Sequence, residues 1–248
     1  MSYDTITVTP CSPHIGAEIG NVDLTRPLTN RQVQEVLCAI SVSRTFMSAA
    51  KAPHRKAYPA IRKQYFDARS KRVSGEEWHS DQSCAEIPPM YSVLYQEIVP
   101  PNGGGDTMFA SAYKAYEELS PSMKAYLDGK TATHDGARGF DKNADVYPVS
   151  VHPVVVRHPD SGRKLLFVNR EFTSHINEVP AAESRGMLEF LCDHIARPHW
   201  NMRFRWTDHS IAFWDNRCTQ HFAIWDYWPN VRSGYRMFVK GTERPAAG

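Results

Sequence analysis

The sequence lacks the features that announce several common classes of protein. Its five cysteines, Cys11, Cys38, Cys84, Cys192 and Cys218, are odd in number and scattered, with no C-x-x-C pair. That argues against a disulfide-stapled secreted scaffold and against a zinc ribbon. Free thiols in a reducing compartment are expected. Because "MSYDTITVTPCSPHIGAEIG" has no basic region leading into an apolar run, that compartment reads as the cytoplasm. No run of about eighteen apolar residues is present, so no membrane-spanning helix is expected. Charge of one sign is also missing: 29 Lys and Arg against 27 Asp and Glu leave a net +2. There is no overall field to favour nucleic acid or an anionic membrane, and a small molecule is the default partner. A G-x-G-x-x-G fingerprint is absent, and "NGGGD", residues 102–106, lacks the Lys-Ser/Thr of a phosphate loop. It is expected to turn the chain between strands.

What is present is enough apolar material for a substantial core, 42% of 248 residues, and one domain spanning residues 1–248 is expected. Alternation in "YDTITVTP" predicts an opening strand. "LTNRQVQEVLCAI" predicts a helix capped by Thr29 or Asn30, with Val33, Val36, Leu37 and Ile40 on its inner face. "SAYKAYEELSPSMKAYLDGK" reads as two short helices, the second entered through Ser120-Pro121 and closed near Gly129. "PAAESRGMLEFLCDHIARP" is a further amphipathic helix with Met187, Leu188, Leu191 and Ile195 inward. The second half is rich in strand signals. "HPVVVRH" and "KLLFVN" flank the turn "PDSGR", and "MRFRW", "SIAFWDN" and "YRMFVKG" follow. A mostly β fold with flanking helices, a sandwich or jelly roll, is expected.

One stretch stands apart. Residues 44–72 carry nine Lys or Arg against a single acid, Asp67, with no clean period. They read as a solvated connection, with a basic surface for an anionic partner as the alternative.

The chemistry begins at "WHSD". On extended backbone, side chains at i and i+2 share a side, so His79 and Asp81 can present a nitrogen and an oxygen to one point. Of the eleven histidines, His221 in "FWDNRCTQHFAIWDYWP" is the best third ligand, because it follows a strand that ends in a polar turn. Two histidines and a carboxylate on one face of an octahedron suit non-haem Fe(II), leaving positions for a co-substrate and dioxygen.

"WHSD", "GGGDTMFAS", "HPVVVRHPDSGRKLLFVNREFT" and "FWDNRCTQHFAIWDYWPNVRSGYRM", in that order, resemble the taurine dioxygenase family. These are Fe(II)- and 2-oxoglutarate-dependent oxygenases that include 2,4-dichlorophenoxyacetate and alkylsulfate enzymes. The resemblance implies a double-stranded β-helix, a jelly-roll variant. It assigns His79, Asp81 and His221 to iron, Thr107 and Arg232 to 2-oxoglutarate, and Arg236 and Phe172 to the prime substrate. Trp78 is expected to wall the pocket, and Asp215 and Asn216 to shape the turn that aims His221. The chain departs from the family between about residues 41 and 76, which are short and basic, and it carries Gly75 where the family has an asparagine.

The implied activity is hydroxylation of a small anionic molecule, a sulfonate, alkyl sulfate or aryloxyalkanoate, with 2-oxoglutarate and dioxygen consumed and succinate and CO2 released. The alternative is a metal- and 2-oxoglutarate-binding protein in which the short segment impairs turnover. Self-association is left open.

Overall fold

The computed structural model describes residues 3–24, 26–43, 46–48, 61–73, 75–140 and 146–248. The amino-terminal half carries β1 (Thr7–Pro10), β2 (Ala17–Gly20), helix α1 (Asn30–Ser43), β3 (Phe46–Ser48), β4 (Arg62–Phe66), β5 (Tyr91–Ile98) and β6 (Thr107–Ser111). Helices α2 (Ala112–Glu117) and α3 (Pro121–Leu127) follow, then β7 (Thr131–Asp135), β8 (Val149–Pro153), β9 (Val155–Arg157), β10 (Lys164–Leu166) and β11 (Thr173–Ile176). Helix α4 (Ala181–Ile195) leads to β12 (Asn201–Phe204), β13 (Ser210–Asp215), β14 (Thr219–Ala223), β15 (Arg232–Val239) and β16 (Ala246–Ala247).

The strands form one large sheet, β1-β2-β3-β13-β5-β15-β4, and three small ones, β12-β6-β14, β11-β7-β8 and β10-β9-β16. All pairings except β2 with β3 are antiparallel. Leu94 of β5, Phe109 of β6, Met202 of β12, Trp214 of β13 and nearby Trp206 share one buried cluster, so the large sheet and the β12-β6-β14 sheet face each other across it. This is the jelly-roll arrangement expected from the strand signals. A second core, with Leu127, Leu166, Ile176, Leu191, Ile195 and Trp200, seats α4 and its neighbours outside.

The two short helices and α4 are where the sequence places them. Ser120 accepts a hydrogen bond from the Met123 amide with Pro121 in the first turn, and Leu191 and Ile195 are fully buried. Helix α1 is rotated from its expected face. Thr29 caps it, exchanging hydrogen bonds with Gln32, but Val33 and Leu37 are exposed while Glu35, Val36 and Ala39 face inward. The reason is polar. Glu35 accepts from the amides of Asp4 and Thr5, from the Thr5 hydroxyl and from Arg31, which ties the amino-terminal segment to the helix.

Arg31 and then Thr5 hold the Glu35 carboxyl down to about 2, against an ordinary value of 4.5. A lowered folded-state value means that this stabilisation is complete above about pH 4.5 and is lost as the pH falls toward 2. Glu35→Gln is therefore expected to lower the melting temperature at neutral pH. The gap from wild type should close as thermal melts are taken toward pH 2, whereas a gap independent of pH would refute the assignment.

The basic stretch is not simply a connection. Within it, β3 and β4 join the large sheet, and β4 forms its edge beside β15. An edge strand decorated with Arg62 and Lys63 conceals its period in the sequence because charge suits the unpaired side. Residues 49–60 of the stretch lie outside the described residues. Among the described residues no helix is long and apolar enough to cross a membrane.

Candidate active site

His79 and His221 are joined first by backbone. They form an isolated antiparallel bridge in which the His79 amide donates to the His221 carbonyl at 3.1 Å and the His221 amide donates back at 2.8 Å. One rung away the Ala223 amide donates to the carbonyl of Gly75 at 2.7 Å. Gly75 has φ +88°, and a Cβ there would lie 2.8 Å from His79 Cε1, so the backbone approaches the imidazole more closely than any side chain allows. His221 itself lies in β14, paired with β6, with its ring between Trp214 and Phe109.

Strand-like pairing is a single bridge at His79, and Asp81 already begins the turn that follows while its carboxylate meets the two histidines. Ser80 turns away to donate to the Thr219 carbonyl, and Gln82 has φ +49° in the turn that follows. Asn216 anchors this turn rather than aiming His221: its side-chain oxygen accepts from the Asp81 amide, and its nitrogen donates to the carbonyls of Asp81 and Pro89. Asp215 does shape the turn before β14, its Oδ1 accepting from the Arg217 amide at 2.9 Å and its carbonyl from the Cys218 amide at 3.4 Å, while its other oxygen meets His158.

The result is a convergent donor set. Asp81 Oδ1 lies 3.5 Å from His79 Nε2 and 3.6 Å from His221 Nε2, and all three side chains are at most 6% exposed. Their ligand atoms fall within 4.8 Å of one another. Burial alone would raise the Asp81 pKa, but Arg236, His221 and His79 hold it well below the usual carboxylate range. Burial, joined by the neighbouring His79, pushes His221 well below its ordinary value. An ionised carboxylate and a neutral imidazole are the forms that bind a metal. Burial would also lower His79, yet the carboxylates of Asp81 and Glu171 lift it to about 9. Negative charge there favours a cation at the ring, be it a proton or a metal ion. The Nδ1 of His79 is taken by the Glu77 carbonyl at 2.7 Å, with Glu171 Oε2 at 2.9 Å, which leaves Nε2 for the metal. His221 Nδ1 is buried and has no hydrogen-bond partner among the described residues. Two imidazoles and one carboxylate with Nε2 and Oδ1 converging fit a divalent transition metal.

The remaining predicted residues are distributed around this set. Arg232 and Arg236 both leave β15 on the side of the cavity, which is lined also by Thr107, Gln64, Val73, Leu94 and Ala223. Gly234 does not bulge the strand between them. Pairing with β4 runs without a break from Arg232 to Arg236, and the irregularity sits on β5, where the register passes over Glu97. Arg232 is 5% exposed and, among the described residues, has no carboxylate partner; burial lowers its pKa to about 10. Its guanidinium lies near the rings of Trp206 and Tyr227, and Gly105 passes so close that a Cβ would stand 3.0 Å from Nε. Thr107 accepts from the Trp206 indole at 3.0 Å, which fixes its hydroxyl.

Arg236 reaches the metal ligands themselves, pairing with Asp81 and lying 3.3 Å from His221 Nε2. Phe172 is buried and packs edge-on to the His79 ring, centroids 6.3 Å apart, so it supports the ligand from outside the cavity lining. Trp78 packs against Phe222 and the outer core and does not wall the pocket. Sequence reasoning missed Glu171 and Gln96, because contacts between residues far apart in the chain leave no spacing signature. It also missed Gln64 and Val73, which lie within and immediately after the stretch read as a connection.

A family model described as "Taurine catabolism dioxygenase TauD, TfdA family" matches residues 27–238. The chain belongs to this family. An alpha-ketoglutarate-dependent sulfonate dioxygenase of Saccharomyces cerevisiae is 32% identical over 183 residues, which is 70% of this chain and 44% of that protein. The chain spans about half the length of the curated relatives it matches. Solved structures align over nearly their whole length. A taurine dioxygenase from Burkholderia xenovorans superposes with TM-score 0.84 at 32% identity, covering 96% of this chain and 92% of that one. AAD-2, solved in complex with Mn(II) and N-oxalylglycine, gives TM-score 0.84 at 25% identity, covering 98% of this chain and all of its own. TauD/TfdA membership accounts for the jelly roll and for the buried two-histidine, one-carboxylate set together.

Proposed function

We propose that this chain is an Fe(II)- and 2-oxoglutarate-dependent dioxygenase that hydroxylates a small anionic organic substrate, releasing succinate and CO2. The observation that carries this reading is that a buried arginine without a carboxylate partner, Arg232, opens onto the same cavity as the His79, Asp81 and His221 donors. A buried cation is costly unless an anion joins it, and a guanidinium matches a carboxylate in a two-pronged, always-charged grip. His79 Nε2, Asp81 Oδ1 and His221 Nε2 would hold Fe(II), which would supply the activation of dioxygen and the oxidative decarboxylation of 2-oxoglutarate. Arg232 and the Thr107 hydroxyl hold the far carboxylate of 2-oxoglutarate, and Trp206 and Tyr227 shield that pairing from water. Arg236 is the grip for the substrate's anionic group. Residues 1–248 act as one domain, and the five free thiols support a cytoplasmic setting.

The test is a succinate-release screen with Fe(II) and 2-oxoglutarate over sulfonates, alkyl sulfates and aryloxyalkanoates. At least one is expected to raise succinate above the uncoupled background. If none does while anaerobic Fe(II) and 2-oxoglutarate still give the visible band of their chelate, turnover is refuted and only the binding function stands.

A further inference from the structure

Gln96 is fully buried on β5 and faces Gly234 across the β5–β15 ladder. Cross-strand neighbours share a face, and residues two apart on β15 share that face again, so Gln96 lies on the side of Arg232 and Arg236. In the amide orientation that satisfies both of its ends, the Gln96 oxygen accepts from Arg232 Nη2 at 3.0 Å and from Nη1 at 3.2 Å, while its nitrogen donates to the Ser233 carbonyl at 3.2 Å. The backbone beneath is fixed as well, since the Gln96 carbonyl accepts from the His209 amide at 2.8 Å. Two features of the sequence make room for this contact. The register step past Glu97 brings Gln96 opposite residue 234. Glycine at 234 is required there, because a Cβ would fall 2.2 Å from the Tyr95 carbonyl and 2.9 Å from the end of the Gln96 amide that carries the nitrogen in this orientation.

We propose that Gln96 is a positioning residue for co-substrate binding: it clamps one edge of the Arg232 guanidinium with a neutral acceptor, aiming the remaining donors at the cavity without cancelling the charge. This rests on the reading of Arg232 as the 2-oxoglutarate grip. The choice of side chain follows from electrostatics. A glutamate at this position would satisfy the same two N–H groups but would neutralise the cation and compete with the ligand's carboxylate. An apolar residue would leave two buried donors unpaired and the guanidinium free to turn, and a buried charge-assisted hydrogen bond is worth more than a neutral one. The amide alone fixes direction and preserves charge.

Gln96→Met and Gln96→Glu separate this role from packing. The anaerobic Fe(II) protein is titrated with 2-oxoglutarate by the visible absorption of the chelate, and the Mn(II) protein by the melting-temperature rise that 2-oxoglutarate produces. Gln96→Met is expected to weaken 2-oxoglutarate binding roughly tenfold, as the guanidinium loses the acceptor that takes both of its charge-assisted bonds, with Fe(II) affinity unchanged and kcat at saturating 2-oxoglutarate near wild type. Gln96→Glu, similar in size, is expected to weaken it by a further order of magnitude or more. Wild-type affinity in either variant, or losses that follow the drop in melting temperature and extend equally to Fe(II), would overturn the proposal. Should Gln96→Glu fail to fold, Gln96→Met alone decides by the same criteria. A wild-type protein that gives no chelate band overturns the dioxygenase reading and this inference together, whereas a normal wild-type titration with unchanged variants overturns the inference alone.

Discussion

His221→Ala is expected to abolish 2-oxoglutarate-dependent succinate release and to weaken Fe(II) binding by well over about 100-fold, the upper range seen when mere outer partners of a ligand are lost. The variant should still fold. His221 is tied to its neighbours by main-chain bonds to His79 and by β14 pairing with β6, none of which involves the imidazole. What disappears is one of two nitrogens facing Asp81. Competition against a chromophoric chelator measures the metal affinity, circular dichroism checks the fold, and coupled succinate detection measures turnover. Retention of full activity would sink the assignment of the donor set. The same experiment on His79 should give the same loss with a different secondary effect, because its ring also meets Glu171 and Phe172.

Arg232→Met is expected to cost 2-oxoglutarate binding about 2–5 kcal/mol, the range for truncating one partner of a buried charged pair, while Fe(II) affinity stays near wild type. A small stability change at so buried a side chain makes this prediction distinctive. Arg232 is a buried cation with no carboxylate partner among the described residues, and the protein bears that cost until an anion arrives. Removing the charge relieves that cost but strips the buried Gln96 oxygen of its two donors, so the melting temperature of the ligand-free protein should change little even as the ligand-induced rise vanishes. Arg232→Lys is not expected to rescue binding, since an ammonium cannot bridge the Gln96 oxygen and a carboxylate with the same planar fork. An ordinary surface arginine would show neither effect, and unaltered 2-oxoglutarate affinity in Arg232→Met would remove it from the site.

The donor set was legible in the sequence because two of its three members are local. His79 and Asp81 are two residues apart, and their side chains do meet, with Ser80 turned the other way. Arg232 and Arg236 were legible as a pair for a similar reason: their spacing on one strand survives because β15 pairs regularly with β4. Helix α1 shows where such reasoning fails. Its apolar period pointed to Val33 and Leu37, but the carboxylate of Glu35 satisfies amides of the amino-terminal segment and turns the helix by its own demand. The basic stretch failed in another way, since an edge strand tolerates charge that a period count reads as loop. Gln96 and Glu171 were not legible at all. Each acts on a residue distant in the chain, through a contact that only the closed sheet or the packed loop creates.

β15 is bonded along nearly its whole length to β5 on one flank and over its first five residues to β4 on the other. Its two cavity-facing arginines are thus mounted on a single stiff bar. On the proposed reading, the far carboxylate of 2-oxoglutarate and the anion of the substrate must sit at a separation set by that bar, as jaws of fixed gauge accept only stock of one width. Diversification toward new substrates is then confined to the portion of a molecule remote from its anion and to the loops that meet it. Inserting or deleting one residue between positions 232 and 236 would turn one arginine away from the cavity and disable the site outright, however conservative the change in composition.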